Sequence, residues 1–114
     1  MQLEFTENAQ RSIDDFDDKI KRFVVKKLRY LTDNYIQIVA TKQVQKLANS
    51  KVSRFKISDD IRAFFITFYE KQDGTIIILD VTSRENAYND KDIRKYNNQA
   101  DDELNKRKPK FPKR

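Results

Sequence analysis

The 114-residue chain has no cysteine, no histidine and no tryptophan, and only one glycine and two prolines. Without cysteine or histidine there is no thiol nucleophile, no disulfide, no thiolate or imidazole metal ligand and no imidazole acid–base group. A single glycine excludes a glycine-rich phosphate loop. No stretch reaches the roughly 18 uncharged apolar residues of a membrane span. Residues 1–5 also lack the charged-then-apolar pattern of a signal peptide. The chain is therefore expected to be soluble and cytoplasmic, with no membrane partner, and any catalysis falls to Lys, Arg, Tyr, Ser, Thr or carboxylates.

What is present is charge and aromatic bulk. Eight Phe and five Tyr can build a small core with few residues, and the length fits one domain. The net charge of +6 comes from 24 basic and 18 acidic residues, but six of the basic ones lie in residues 106–114 without an acid. Residues 1–105 thus sum to zero and form the expected domain, with 106–114 a basic, disordered tail around Pro109 and Pro112. Within the neutral part, residues 19–56 hold eleven basic side chains and one acid, Asp33. That segregation fits a basic binding face and equally a solvated helical surface.

Alternation of Met1, Leu3 and Phe5 predicts a strand, after which Thr6 can cap a helix carrying Ala9, Ile13 and Phe16. A second helix from Asp17 or Asp18 spaces Ile20, Phe23, Val24, Leu28, Leu31 and Tyr35 along its apolar side, and since no Gly or Pro marks a break, one long bent helix is the alternative. Residues 36–50 read as a loop with a short helix, because Val44 and Leu47 with Lys42 and Lys46 look helical. From Ser53 the period becomes 2, so Arg54 and Lys56 share one face, open to solvent or substrate. Ile61–Tyr69 is apolar on both sides, as a central strand is, and Phe64, Phe65, Phe68 and Tyr69 read as core. Gly74 is expected to supply a left-handed turn position before a returning strand, Thr75–Thr82. A final helix is expected from about Asn89 or Asp90 to Leu104, with poor apolar spacing. The plan is α+β: an N-terminal strand and helical hairpin on a small antiparallel sheet, with a C-terminal helix or tail. The paired acids at 14 and 15, 17 and 18, and 59 and 60 read as helix caps and turn residues, and no metal site is expected.

The stretch from residue 44 to 88 carries a more specific pattern. Arg54-Phe55-Lys56-Ile57-Ser58-Asp59-Asp60-Ile61-Arg62-Ala63-Phe64-Phe65 is followed by Asp73-Gly74-Thr75-Ile76-Ile77-Ile78-Leu79 and then Arg84-Glu85-Asn86-Ala87-Tyr88. This order resembles the RelE/ParE superfamily of bacterial toxins, most clearly over residues 44–88. Members of its RelE-like branch are ribonucleases that cut messenger RNA on the ribosome, and the resemblance implies a cofactor-free, metal-free mechanism. A 2′-hydroxyl attacks the adjacent phosphodiester, and converging cations stabilise the transition state more than the ground state. On this resemblance Lys56, Arg62, Arg84 and Tyr88 are the candidate catalytic residues, and Arg54, Lys51 and Lys46 the candidate RNA contacts. Lys56 is the expected base or proton shuttle, because arginine stays protonated and a lysine crowded by Arg54, Arg62 and Arg84 gives up its proton more readily. Arg62 and Arg84 match phosphate-stabilising arginines, and Tyr88 matches the closing tyrosine. Arg54 stands where the nuclease branch has lysine.

The implied partners are mRNA, the ribosome and a cognate antitoxin covering the sheet, with DNA reached only through the antitoxin complex. Two other readings of the same residues stand beside this one. One is a ParE-like toxin that inhibits DNA gyrase by contact, and the other a non-catalytic nucleic-acid-binding domain. Arg62 beside Asp59 or Asp60 can also be an ordinary surface ion pair.

Overall fold

The computed structural model describes residues 1–70, 73–83 and 90–107. Strand β1 (Gln2–Phe5) ends at Thr6, whose hydroxyl accepts the Ala9 N–H at 3.0 Å and caps helix α1 (Glu7–Asp14). Asp17 does the same for α2 (Asp18–Asp33), accepting the Ile20 N–H at 3.0 Å, so the two helices break at residues 15–17. Lys21 bridges them through Asp14 at 2.6 Å. That bond holds the Asp14 carboxyl below its ordinary pKa and the Lys21 ammonium above its own. Tyr35 opens a separate short helix, α3 (Tyr35–Val39), rather than extending α2.

Residues 44–46 depart from the sequence reading. Val44–Lys46 is an edge strand, β2, antiparallel to β3 (Ser53–Lys56), with Val44 opposite Phe55. Three residues carry too little periodicity to declare a strand, and pairing with β3 decides it. β4 (Ile61–Glu70) and β5 (Asp73–Ser83) complete the ladder, and β1 adds to β5 in parallel. The sheet order is β1-β5-β4-β3-β2. Gly74 lies inside β5 without a positive φ. The lack of a side chain is used instead for close approach, since a Cβ there would sit 2.7 Å from Met1 Cε and 2.8 Å from Tyr69 Cε1.

Both faces of the sheet are covered. One carries Phe55, Ile61, Ala63, Phe65, Ile76, Ile78 and Val81 against the apolar sides of α1, α2 and α3. The other carries Phe64, Ile66, Ile77 and Leu79 against α4 (Asp90–Arg107), which buries Tyr96 and Ala100 and packs Leu104. Phe64 and Phe65 are core as expected, but Tyr69 is exposed. Phe23 also differs from expectation, lying 41% exposed on the basic side of α2. Helix α4 runs through Lys106 and Arg107, which the sequence reading places in the tail. Arg107 pairs with Glu4 of β1 at 2.6 Å. No described helix is long and apolar enough to cross a membrane.

Candidate functional site

The β3–β4 connection is built by its own polar residues. Ser58 Oγ accepts the N–H groups of Asp60 at 3.3 Å and Ile61 at 3.2 Å, a hydroxyl turn that reverses the chain in four residues. The reversal sets Lys56 opposite Arg62, and Arg62 in turn opposite Thr82 on β5. Cross-strand partners point the same way, so this row of three lies at one end of the sheet.

Lys56 and Arg62 use that position differently. The Lys56 side chain is half-exposed, and its Nζ lies 3.1 Å from Asp59 Oδ1. Arg62 is only 6% exposed. Its Nη1 donates to the main-chain carbonyls of Asp59 and Ile61, each at 3.2 Å, and to that of Ser58. The guanidinium expected to face a phosphate is thus occupied in closing the turn. A buried arginine must find acceptors, and the turn supplies them. Arg54 donates to Gln45 on β2. Lys51 approaches Asp101 of α4 at 3.6 Å, and Lys46 is exposed on the edge strand. Arg54, Lys56 and Arg62 each have partners of their own, while Lys56 and Arg62 remain cross-strand neighbours. Arg84 and Tyr88, the other two candidate catalytic residues, lie outside the described residues.

The face expected to be open is shared with α4. Arg54 is paired with Phe64, and the Tyr96 ring stacks on Phe64 with centroids 4.4 Å apart. Farther along, Arg107 lies over the Phe68 ring at 5.9 Å, so α4 follows β4 from Phe64 towards Phe68.

One polar group that fixes this arrangement escapes the sequence reading. Asp80, 8% exposed, takes the Ser12 hydroxyl of α1 at 2.6 Å and the Val81 N–H at 2.9 Å on Oδ1. Its Oδ2 takes the Tyr96 hydroxyl of α4 at 2.8 Å. The available signal was a lone acid inside the apolar run Ile76 to Val81, together with Tyr96, Ala100 and Leu104 at four-residue steps.

No family model matches the sequence, and no curated protein matches it significantly. Solved structures do match its fold. The RelBE2 toxin–antitoxin complex of Mycobacterium tuberculosis aligns at TM-score 0.55 and 18% identity, covering 73% of this chain and 96% of that one. The YoeB/ParE toxin of Agrobacterium tumefaciens aligns at 0.55 and 11%, covering 74% and 99%. YafQ of Escherichia coli aligns at 0.54 and 12%, covering 77% and 98%.

The chain has the RelE-like fold. Nearly the whole of each of these structures is matched, over about three quarters of this chain. At these identities the likeness concerns the fold, and the roles of side chains rest on their own geometry.

Proposed function

We propose that this chain is the toxin of a toxin–antitoxin module and a metal-free endoribonuclease that cleaves mRNA at the ribosome. The observation that supports it best is the RelE-like fold with Lys56 exposed at the end of β3, across the ladder from Arg62. In this reaction the 2′-oxygen bonds to the adjacent phosphorus and gives its proton to a base, while the bond from phosphorus to the 5′-oxygen breaks and that oxygen takes up a proton from an acid or water. The products are a 2′,3′-cyclic phosphate and a 5′-hydroxyl.

Lys56 is assigned the proton transfer, Arg84 the charge on phosphorus, and Tyr88 stacking or proton exchange at the leaving side. Arg62 fixes the turn that carries Asp59 and Lys56, and meets a phosphate only once it leaves its carbonyls. Arg54, Lys51 and Lys46 line the RNA approach. The partner is a cognate antitoxin in the cytoplasm, as RelE-like chains are found in toxin–antitoxin complexes.

A second reading is favoured by the occupied guanidinium of Arg62 and the Lys56–Asp59 pair. Under it the chain is a ParE-like toxin that blocks gyrase by contact and performs no chemistry. Expression in a translation-competent extract separates the two. Codon-phased transcript ends support the nuclease, whereas intact RNA with gyrase-dependent DNA breaks supports the second reading. For the nuclease, Lys56→Ala and Arg84→Ala should each lower cleavage at least about tenfold, because the first removes the group assigned the proton transfer and the second a charge assigned to the phosphorus. Lys56→Ala should leave the unfolding free energy within about 0.5 kcal/mol, since its ion pair is exposed.

A further inference from the structure

The outer face of α2 carries two aromatic rings that the fold does not use. Phe23 is 41% and Tyr30 50% exposed, although a 16-residue amphipathic helix could have turned such rings inward. Lys27 lies between them, its Nζ 5.8 Å from the Phe23 centroid and 5.9 Å from the Tyr30 centroid. The cation sits over both rings and restrains them, as cation–π contacts do. Positions 23 and 30 are two helical turns apart, about 10 Å at 1.5 Å per residue, close to three stacked nucleotides at roughly 3.4 Å each. Arg22, Lys26 and Arg29 are exposed on the same outer arc, and Asp33 is the only acid of residues 19–56.

This surface leads to the proposed site. An open cleft of about 590 Å³, lined by Phe23, Lys27, Lys42, Lys56 and its ion-pair partner Asp59 among others, joins the middle of α2 to the end of β3. Three lysines enter it from three different segments.

We propose that the outer face of α2 binds single-stranded RNA, with unpaired bases stacked on Phe23 and Tyr30 and phosphates held by Arg22, Lys26, Lys27 and Arg29. A strand engaged at Lys56 passes through the cleft onto this face. The choice of a ribonucleotide polymer rests on the proposed function above. Charge alone would also attract an acidic protein. Aromatic anchors of protein interfaces are fitted into pockets, however, whereas Tyr30 stands half-exposed on the outer side of the helix and Phe23 at the wall of an open cleft, both beside Lys27, the arrangement of single-strand stacking platforms.

The test is fluorescence anisotropy of the full chain with a short, unstructured, 2′-O-methylated RNA, which binds but has no 2′-hydroxyl to attack. Phe23→Ala and Tyr30→Ala should each weaken binding roughly 5- to 100-fold, with the thermal unfolding midpoint unchanged. Phe23→Tyr and Tyr30→Phe should retain it, and a fully paired duplex of the same sequence should bind more weakly and ignore all four substitutions. Unchanged affinity in the alanine variants overturns the proposal. Failure of the wild type to bind the single strand while retaining polyglutamate overturns it in favour of an acidic protein partner. Cleavage is scored separately on unmethylated RNA in the translation extract. Loss of binding in the alanine variants with no cleavage by wild type leaves this surface standing and removes the nuclease. Cleavage by wild type with binding unchanged in the variants removes this surface alone.

Discussion

Asp80→Ala should lower the unfolding free energy by about 3–5 kcal/mol, the largest single-residue effect expected outside the apolar core. The carboxyl holds three donors from three places: Ser12 on α1, the Val81 amide on β5 and Tyr96 on α4. Alanine leaves all three without that acceptor, at about 1–3 kcal/mol for each buried donor that finds no substitute. Asp80→Asn keeps one oxygen but places an NH₂ against a donor, so an intermediate loss of about 1–2 kcal/mol is expected. Urea unfolding monitored by tyrosine fluorescence measures both. Hydrogen exchange should locate the effect, with faster exchange in α4 around Tyr96 and Ala100 than in β4. A loss below about 1 kcal/mol in Asp80→Ala would show that α4 is held by its apolar packing on β4 and β5 and the Arg107–Glu4 pair without help from Asp80.

Arg62→Ala should cost about 2–4 kcal/mol, because a buried guanidinium that serves the carbonyls of Ser58, Asp59 and Ile61 is removed and the turn loses its closure. Arg62→Lys keeps the charge but replaces a planar fork by a point donor, and should recover only part of the loss. The comparison with Lys56→Ala is informative, since both residues belong to one cross-strand pair. Lys56→Ala should reduce cleavage without moving the denaturation curve, whereas Arg62→Ala should reduce both. Chemical denaturation alongside transcript-end mapping makes the separation. A stable but inactive Arg62→Ala would place that guanidinium at the phosphate after all.

Several elements were legible because local and tertiary signals agree. Thr6 and Asp17 cap the helices as their side chains allow, and β4 reads as central because both of its neighbours pair with it. Other parts were not legible, for identifiable reasons. Between Phe64 and Phe65 the β4–β5 register shifts, and the extra residue on β5 resets its alternation. Ile78 and Val81, three apart, then face the same core, while Asp80 turns to where α1 and α4 both reach it. No period-2 reading of Thr75–Thr82 anticipates that. The spacing of α4 looked poor because Ala100 is small and Tyr96 counts as polar at its tip, yet both are buried once Phe64 and Asp80 receive them.

The candidate site divides in the same way. Alternation placed Arg54 and Lys56 on one face, and the resemblance implied that Lys56 lies near Arg62. Neither could tell which cation stays available, since that depends on the acceptors folding brings within reach. Arg62 is buried among the turn carbonyls and Arg54 meets Gln45 across the β2–β3 pair.

The sequence by itself determined the α+β class, the caps of α1 and α2 and the alternation of the strand that carries Arg54 and Lys56, since capping, periodicity and turn chemistry act over a few neighbouring positions. Tertiary structure alone decided the β2 edge strand, the covering of one sheet face by α4, the internal partners of Arg62 and the exposure of Phe23 and Tyr30. Each of these depends on which distant segment arrives to pair with, bury or leave open a given side chain.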